Sequence, residues 1–205
     1  MTFEVELKAR LPDPEETEAI AAQLGTFEAE IYKEDIYFRR RNDASLIPRD
    51  RYRLRREPGR VIVTFKQKIS TGGVVVNKET DFEVNDAHAF FQFADRFGFE
   101  PFVAKRKTSR VYRVGRAYVE LNHVEYLGYF VEIEILCDVQ DQVPVARLEI
   151  GRLFNRLGLT DADLEPRYYI QMIQAAHPVR YRFIDDRALD WPFEEIADQT
   201  EEAEQ

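Results

Sequence analysis

Apolar and charged residues alternate without a break from Phe3 to Arg10. A strand with this pattern puts Phe3, Val5, Leu7 and Ala9 on one face and Glu4, Glu6 and Lys8 on the other. Asp13-Pro14-Glu15-Glu16 reads as a helix start, with Asp as cap and Pro at the first helical position, and Gly25 ends that helix after Ile20, Ala21 and Leu24. Phe27 to Phe38 is extended. Arg51–Glu57 and Val61–Lys68 form a hairpin across Pro58-Gly59, and Val74–Val84 follows the turn Thr71-Gly72-Gly73. Asn85-Asp86 opens a second helix with Phe90, Ala94 and Phe97 at helical spacing. Three further extended stretches follow (Phe99–Val114, Ala117–His123, Phe130–Leu136). A third helix then opens near Pro144 and carries Ala146, Ile150, Leu153, Phe154 and Leu157. Tyr168–Ala176 predicts a short fourth helix; beyond it, including Trp191, no periodicity stands out.

The order is β-α-β-β-β twice, then helices, and Phe-Glu-Val recurs at 3–5 and 82–84. This predicts an α+β fold: an eight-stranded antiparallel β-barrel with amphipathic helices packed outside, closure removing the exposed strand edges. The domain is expected over residues 1–176, with 177–205 as an acidic C-terminal tail.

Composition changes the picture in two places. The net charge of -9 sits almost wholly after Phe183, where nine acidic residues face one arginine, so the rest of the chain is near neutral while strongly charged. Within it, cations cluster between Arg39 and Lys68 and between Lys105 and Arg116, which suggests a polyanionic ligand. The lone Cys137 fits a reducing cytoplasm, and Met1 leads directly into the first strand with no expected signal peptide, anchor or membrane span. His88, His123 and His177 have no metal-ligand spacing and are expected at the surface or in turns.

The charged strand faces carry the candidate chemistry. They are Glu4, Glu6, Lys8; Arg51, Arg53, Arg55, Glu57; Lys66, Lys68; Glu79, Asp81, Glu83; Lys105, Lys107; and Glu132, Glu134. Singly, each reads as a solvent face with cross-strand ion pairs. Together, with helices needing the apolar sides, they point into the barrel. Unpaired charge is costly in a dry interior, so the lining reads as a solvated tunnel for a polyphosphate and a divalent cation, with Lys and Arg on phosphate and carboxylates on metal.

Glu4-x-Glu6-x-Lys8 resembles the signature of the CYTH superfamily, the triphosphate tunnel metalloenzymes. The resemblance continues through Glu34-Asp35-Ile36-Tyr37-Phe38, Arg53-Leu54-Arg55, Thr64-Phe65-Lys66, Lys105-Arg106-Lys107 and Leu127–Glu134, over about residues 1–175, and is strongest to the class IV adenylyl cyclase branch. It implies Glu4 and Glu6 as metal carboxylates, joined across the tunnel by Glu132 and Glu134. It also implies a triphosphate clamp of Lys8, Arg53, Arg55, Lys66, Lys105 and Lys107, and Mg²⁺ or Mn²⁺ as the ion. The family usually has Leu-Asp where this chain has Leu121-Asn122, which removes a charge from the acid set; Glu120 is a candidate replacement.

The expected substrate is a nucleoside triphosphate or inorganic polyphosphate. A cyclase would convert ATP to cyclic AMP and pyrophosphate. The alternatives are an inorganic, thiamine or nucleoside triphosphatase on the same site, and a non-catalytic polyphosphate or nucleotide sensor. Lys8, with Glu4 and Glu6, is the candidate catalytic set, Lys8 either as proton acceptor or as a simple phosphate contact. Nucleic acid ranks last as a partner, and a homodimer stays open. No adenine pocket is legible: Tyr37, Phe38 and Tyr52 are strand aromatics, whose ordinary role is core.

Overall fold

In the computed structural model the described residues are 3–49, 51–57, 59–70, 75–187 and 191–197; the side chains of 66–70, 75, 78 and 197 are outside the description. The strands are β1 (Phe3–Arg10), β2 (Thr26–Arg40), β3 (Tyr52–Glu57), β4 (Arg60–Ser70), β5 (Val75–Val84), β6 (Phe99–Val114), β7 (Ala117–Val124), β8 (Gly128–Cys137), β9 (Val179–Phe183) and β10 (Phe193–Ala197). The helices are α1 (Pro14–Leu24), α2 (Ala87–Arg96), α3 (Val143–Arg156) and α4 (Tyr169–Ala176). The first eight strands are hydrogen-bonded in the order β1-β5-β4-β3-β2-β6-β7-β8, and β1 pairs antiparallel with β8 as well as with β5. Among the described residues the chain is thus α+β with a large antiparallel sheet and four α-helices, and its element order through α4 is the one the alternation predicts. The turn expected at Thr71–Gly73 lies outside the described residues.

The chain divides into two compact units, one of residues 1–33, 66–80 and 107–167, the other of 34–65, 81–106 and 168–205. In the first, β1 turns Val5, Leu7 and Ala9 onto Val131, Ile133 and Ile135 of β8 and onto Ala146, Ile150, Leu153 and Phe154 of α3, all buried. The α3 stripe sits as its periodicity predicts. Asp13 caps α1, its Oδ1 accepting the Glu16 N–H at 2.9 Å. At the other end Gly25 permits a close approach: a Cβ there would stand 2.3 Å from the Arg113 carbonyl oxygen.

The second unit packs Ile36 and Phe38 of β2, Leu54 of β3, Val63 of β4 and Phe91 and Ala94 of α2. The α2 stripe is rotated from the expected one. Phe91 is buried and stacks on the rings of Phe183 and Phe193, whereas Phe97 is 59% exposed because it is the C-cap, already off the helical path. His88, expected at the surface, is buried on the same face beside Phe183. Two strands also form where no periodicity was legible: β9 pairs antiparallel with β10, and Phe193 joins the core, with Tyr181, Phe183 and Trp191 packed around it.

Candidate triphosphate site

In the first unit the charged face of β1 is no solvent face. Glu4 is only 7% exposed, and Glu6 and Lys8 are half-buried. The β1–β8 register sets Glu6 opposite Glu134 and Lys8 opposite Glu132. Glu132 and Glu134 therefore stand on the strand next to Glu4 and Glu6, not across a tunnel from them, because β8 is the direct neighbour of β1. On β7, Glu120 lies opposite Glu132. Lys107 joins the two carboxylates, donating to Glu120 Oε2 at 2.9 Å and Glu132 Oε2 at 2.5 Å. Lys33 donates to Glu120 Oε1 at 2.8 Å. Burial pushes the Glu120 carboxyl up, but Lys107 and Lys33 more than offset it and hold it well below the usual carboxylate range.

Asn122 is 1% exposed and fully engaged: its Oδ1 accepts the Ser109 hydroxyl at 2.6 Å and its Nδ2 donates to Glu132 Oε2 at 2.8 Å. The amide oxygen is thus spoken for by Ser109, and what Asn122 presents to the acid set is a donor. Lys8 Nζ donates to the Arg167 carbonyl, and the Lys8 carbonyl accepts the Glu165 N–H at 3.0 Å, so the segment after α3 is tied to this end of β1. Glu165 also binds Arg167 and Arg10; the hydrogen bonds from Arg167 above all bring its carboxyl down to about 2.

In the second unit the organising group is Asp35 on β2, completely buried. Arg55 grips it with two bonds, Nε to Oδ1 at 2.7 Å and Nη2 to Oδ2 at 3.0 Å. Lys105 Nζ is 2.8 Å from Oδ2, and Arg53 Nη1 is 3.9 Å from it. Burial raises the Asp35 carboxyl, but Arg55, Lys105 and Arg53 prevail and hold it well below the ordinary carboxylate value. Arg53 also donates to Thr64 Oγ1 at 3.0 Å, whose hydroxyl donates to Asp81 at 2.6 Å. Lys105 stands over the rings of Tyr37 and Tyr169 at 5.7 and 5.3 Å.

Of the expected site residues, Arg53, Arg55 and Lys105 are brought together on Asp35. Lys107 and Glu132 meet directly, Lys8 is registered against Glu132, and Glu6 against Glu134; Glu4 is on the same face of β1. The Lys66 side chain lies outside the described residues. Sequence reasoning missed Lys33 and Ser109 and gave Asp35 no role beyond the motif it belongs to, although Lys33-x-Asp35-x-Tyr37-x-Arg39 is a polar alternation as regular as that of β1.

Among the described residues no group of three or more acidic, His or Cys side chains is gathered as a finished metal cage. The donor chemistry nevertheless suits a hard divalent ion. Two carboxylates directly opposite each other, as Glu6 and Glu134 are, repel unless a cation stands between or beside them. A Mg²⁺-type ion needs only one or two protein carboxylates, completing its shell with water and phosphate.

The fold is α+β, with acids and bases paired along its strands. The CYTH domain model matches residues 2–169, and the chain belongs to the CYTH family. It is 28% identical over 172 residues to the adenylate cyclase CyaB of Aeromonas hydrophila, covering 82% of this chain and 86% of that one. A Pyrococcus furiosus protein of solved structure superposes with a TM-score of 0.71 at 28% identity, covering 83% of this chain and 99% of its own. The adenylyl cyclase-related HpAC1 of Hippeastrum, described as having a dominant triphosphatase activity, shares the fold: TM-score 0.58 at 17% identity, with 84% and 95% of the two chains covered. Among the described residues no helix is long and apolar enough to cross a membrane.

Proposed function

We propose that this chain carries out divalent-metal-dependent chemistry on a triphosphate lying along its charged strand faces. The observation that carries this reading is the gathering of Arg53, Arg55 and Lys105 on one buried carboxylate, Asp35. Arg55 also stands 3.8 Å from Glu57 Oε1, so the cluster is a network of cations fixed around Asp35, and cations fixed in this way need little reorganisation to meet phosphate oxygens. In the first unit, Lys8 and Lys107 are the candidate phosphate contacts.

Glu4, Glu6, Glu132 and Glu134 would hold Mg²⁺ or Mn²⁺, which supplies charge neutralisation at the phosphate oxygens. In the cyclase reading, supported by similarity to CyaB, the ribose 3′-hydroxyl attacks the α-phosphorus and gives up its proton to solvent, the bond from the α-phosphorus to the α–β bridging oxygen breaks, and pyrophosphate leaves with that oxygen. The clamp residues align the chain in line with the attacking oxygen and take up the charge of the leaving group. Lys8 Nζ already donates to the Arg167 carbonyl, and we take its role as a phosphate contact. A triphosphatase is the second reading: cations gathered on Asp35 recognise phosphate whatever is attached to it.

Purified protein with Mn²⁺ or Mg²⁺, offered ATP, inorganic triphosphate and thiamine triphosphate, tests both. Cyclic AMP with pyrophosphate establishes the cyclase, and released orthophosphate the triphosphatase. Binding without turnover of any of the three overturns the enzyme reading and leaves a sensor.

A further inference from the structure

The second unit holds a cleft of about 350 Å³, its walls including Arg39, Glu100, Phe102, Gln174, Pro178 and Tyr181. That volume is in the roughly 300–1,000 Å³ range of small-molecule sites. It adjoins the Asp35 cluster through one residue. Tyr37 accepts a bond from Lys105 Nζ at 3.4 Å on one side and meets the Phe102 ring edge-on, centroids 6.5 Å apart, on the other. The walls also present a flat cation: the Arg39 guanidinium lies over Phe102 at 5.5 Å while its Nε donates to Glu100 at 2.9 Å. A guanidinium fixed between a ring and a carboxylate is a ready stacking surface for another planar group. Gln174 spends its amide N–H bonds on the Ile170 and Leu46 carbonyls, so the group it can offer a ligand is its carbonyl oxygen.

We propose that this cleft takes the base of a nucleoside triphosphate, stacked on Arg39, while its phosphates lie on Lys105, Arg55 and Arg53. The inference rests on the triphosphate reading above and sharpens it: the substrate is a nucleotide and not an inorganic polyphosphate. Gln174, Pro178 and Tyr181 lie beyond residue 169, where the family match ends.

The test compares the Mn²⁺-dependent affinity for ATP with that for inorganic triphosphate, by calorimetry, in wild type, Arg39→Ala and Phe102→Leu. Misfolded protein lowers both values alike and cancels in their ratio. Each substitution is expected to lower the ATP-to-triphosphate ratio about tenfold, the scale of one lost base-stacking contact. A ratio that stays at the wild-type value in both variants overturns the base cleft and leaves the triphosphate reading standing. A wild type that binds neither compound overturns the triphosphate reading and the cleft with it.

Discussion

Arg55 and Asp35 form a two-bond guanidinium–carboxylate pair in which the carboxylate is completely buried and also carries Lys105. Removing that anion leaves neighbouring cations facing one another. Asp35→Asn should therefore destabilise the protein by about 3–5 kcal/mol, the usual cost of breaking a buried pair, seen as a melting point lower by on the order of 10 °C. Inorganic triphosphate should recover more of the melting point in the variant than it adds to wild type. An equal increment in both proteins would show that these cations do not meet phosphate.

Glu6 faces Glu134 across the β1–β8 ladder, with Glu4 on the same face. Glu4→Gln combined with Glu6→Gln removes like-charge repulsion while keeping the side-chain shapes, so the circular dichroism and melting point should hold. Metal-dependent turnover should fall by at least about a hundredfold, the scale on which charge-stabilising groups act, and calorimetric Mn²⁺ binding should be lost. Wild-type turnover in the double variant would remove these residues from the site.

What the sequence made legible was whatever repeats at strand or helix period. β1, the β3–β4 hairpin and α3 follow from alternation and spacing, and Arg53, Arg55, Lys105, Lys107, Glu132 and Glu134 from collecting polar faces. The partners were not legible. That Asp35 gathers three cations, or that Ser109 turns Asn122 into a donor, depends on which strands become neighbours, and alternation says nothing about neighbours. The same gap placed Glu132 and Glu134 across from β1 instead of beside it. β9 and β10 escaped notice because each is five residues long and their packing against Phe91 is tertiary.

Asn122 donates to Glu132 from a buried position. Asn122→Asp replaces that donor with a second carboxylate, so the metal-free protein should lose about 2 kcal/mol or more, the cost of an unpaired buried polar group. Mn²⁺ should restore more stability to this variant than it adds to wild type. A melting point unchanged without metal would mean that Ser109 and Asn122 do not hold Glu132.

Glu120 is held below the carboxylate range by Lys107 and Lys33 after burial is offset. In the unfolded chain it titrates near its reference value of about 4.3. A depressed folded value gives stability that is present above that pH and lost as pH falls below it. Glu120→Gln should thus be less stable than wild type at pH 7 by about 1.5–3 kcal/mol, the worth of hydrogen bonds to a charged group. The gap should narrow as the pH drops below about 4, followed by thermal melts between pH 7 and 3. A gap constant with pH would contradict the ion-pair assignment.

Phe193 lies 24 residues beyond the end of the family match, yet it is 8% exposed and stacks near-parallel on Phe91, centroids 6.1 Å apart. Trp191 and Tyr181 meet its ring edge-on. The hairpin therefore completes the core of the second unit, the unit that also carries Asp35, Arg53, Arg55 and Lys105. Phe193→Ala removes a buried aromatic ring and should cost about 3–5 kcal/mol. Because Phe91 and Phe38 share that core, amide exchange should speed up in α2 and in β2 around Phe38, while β1 and α3 in the other unit keep their protection. Faster exchange confined to β9 and β10 would instead mark the hairpin as a peripheral addition that the core does not need.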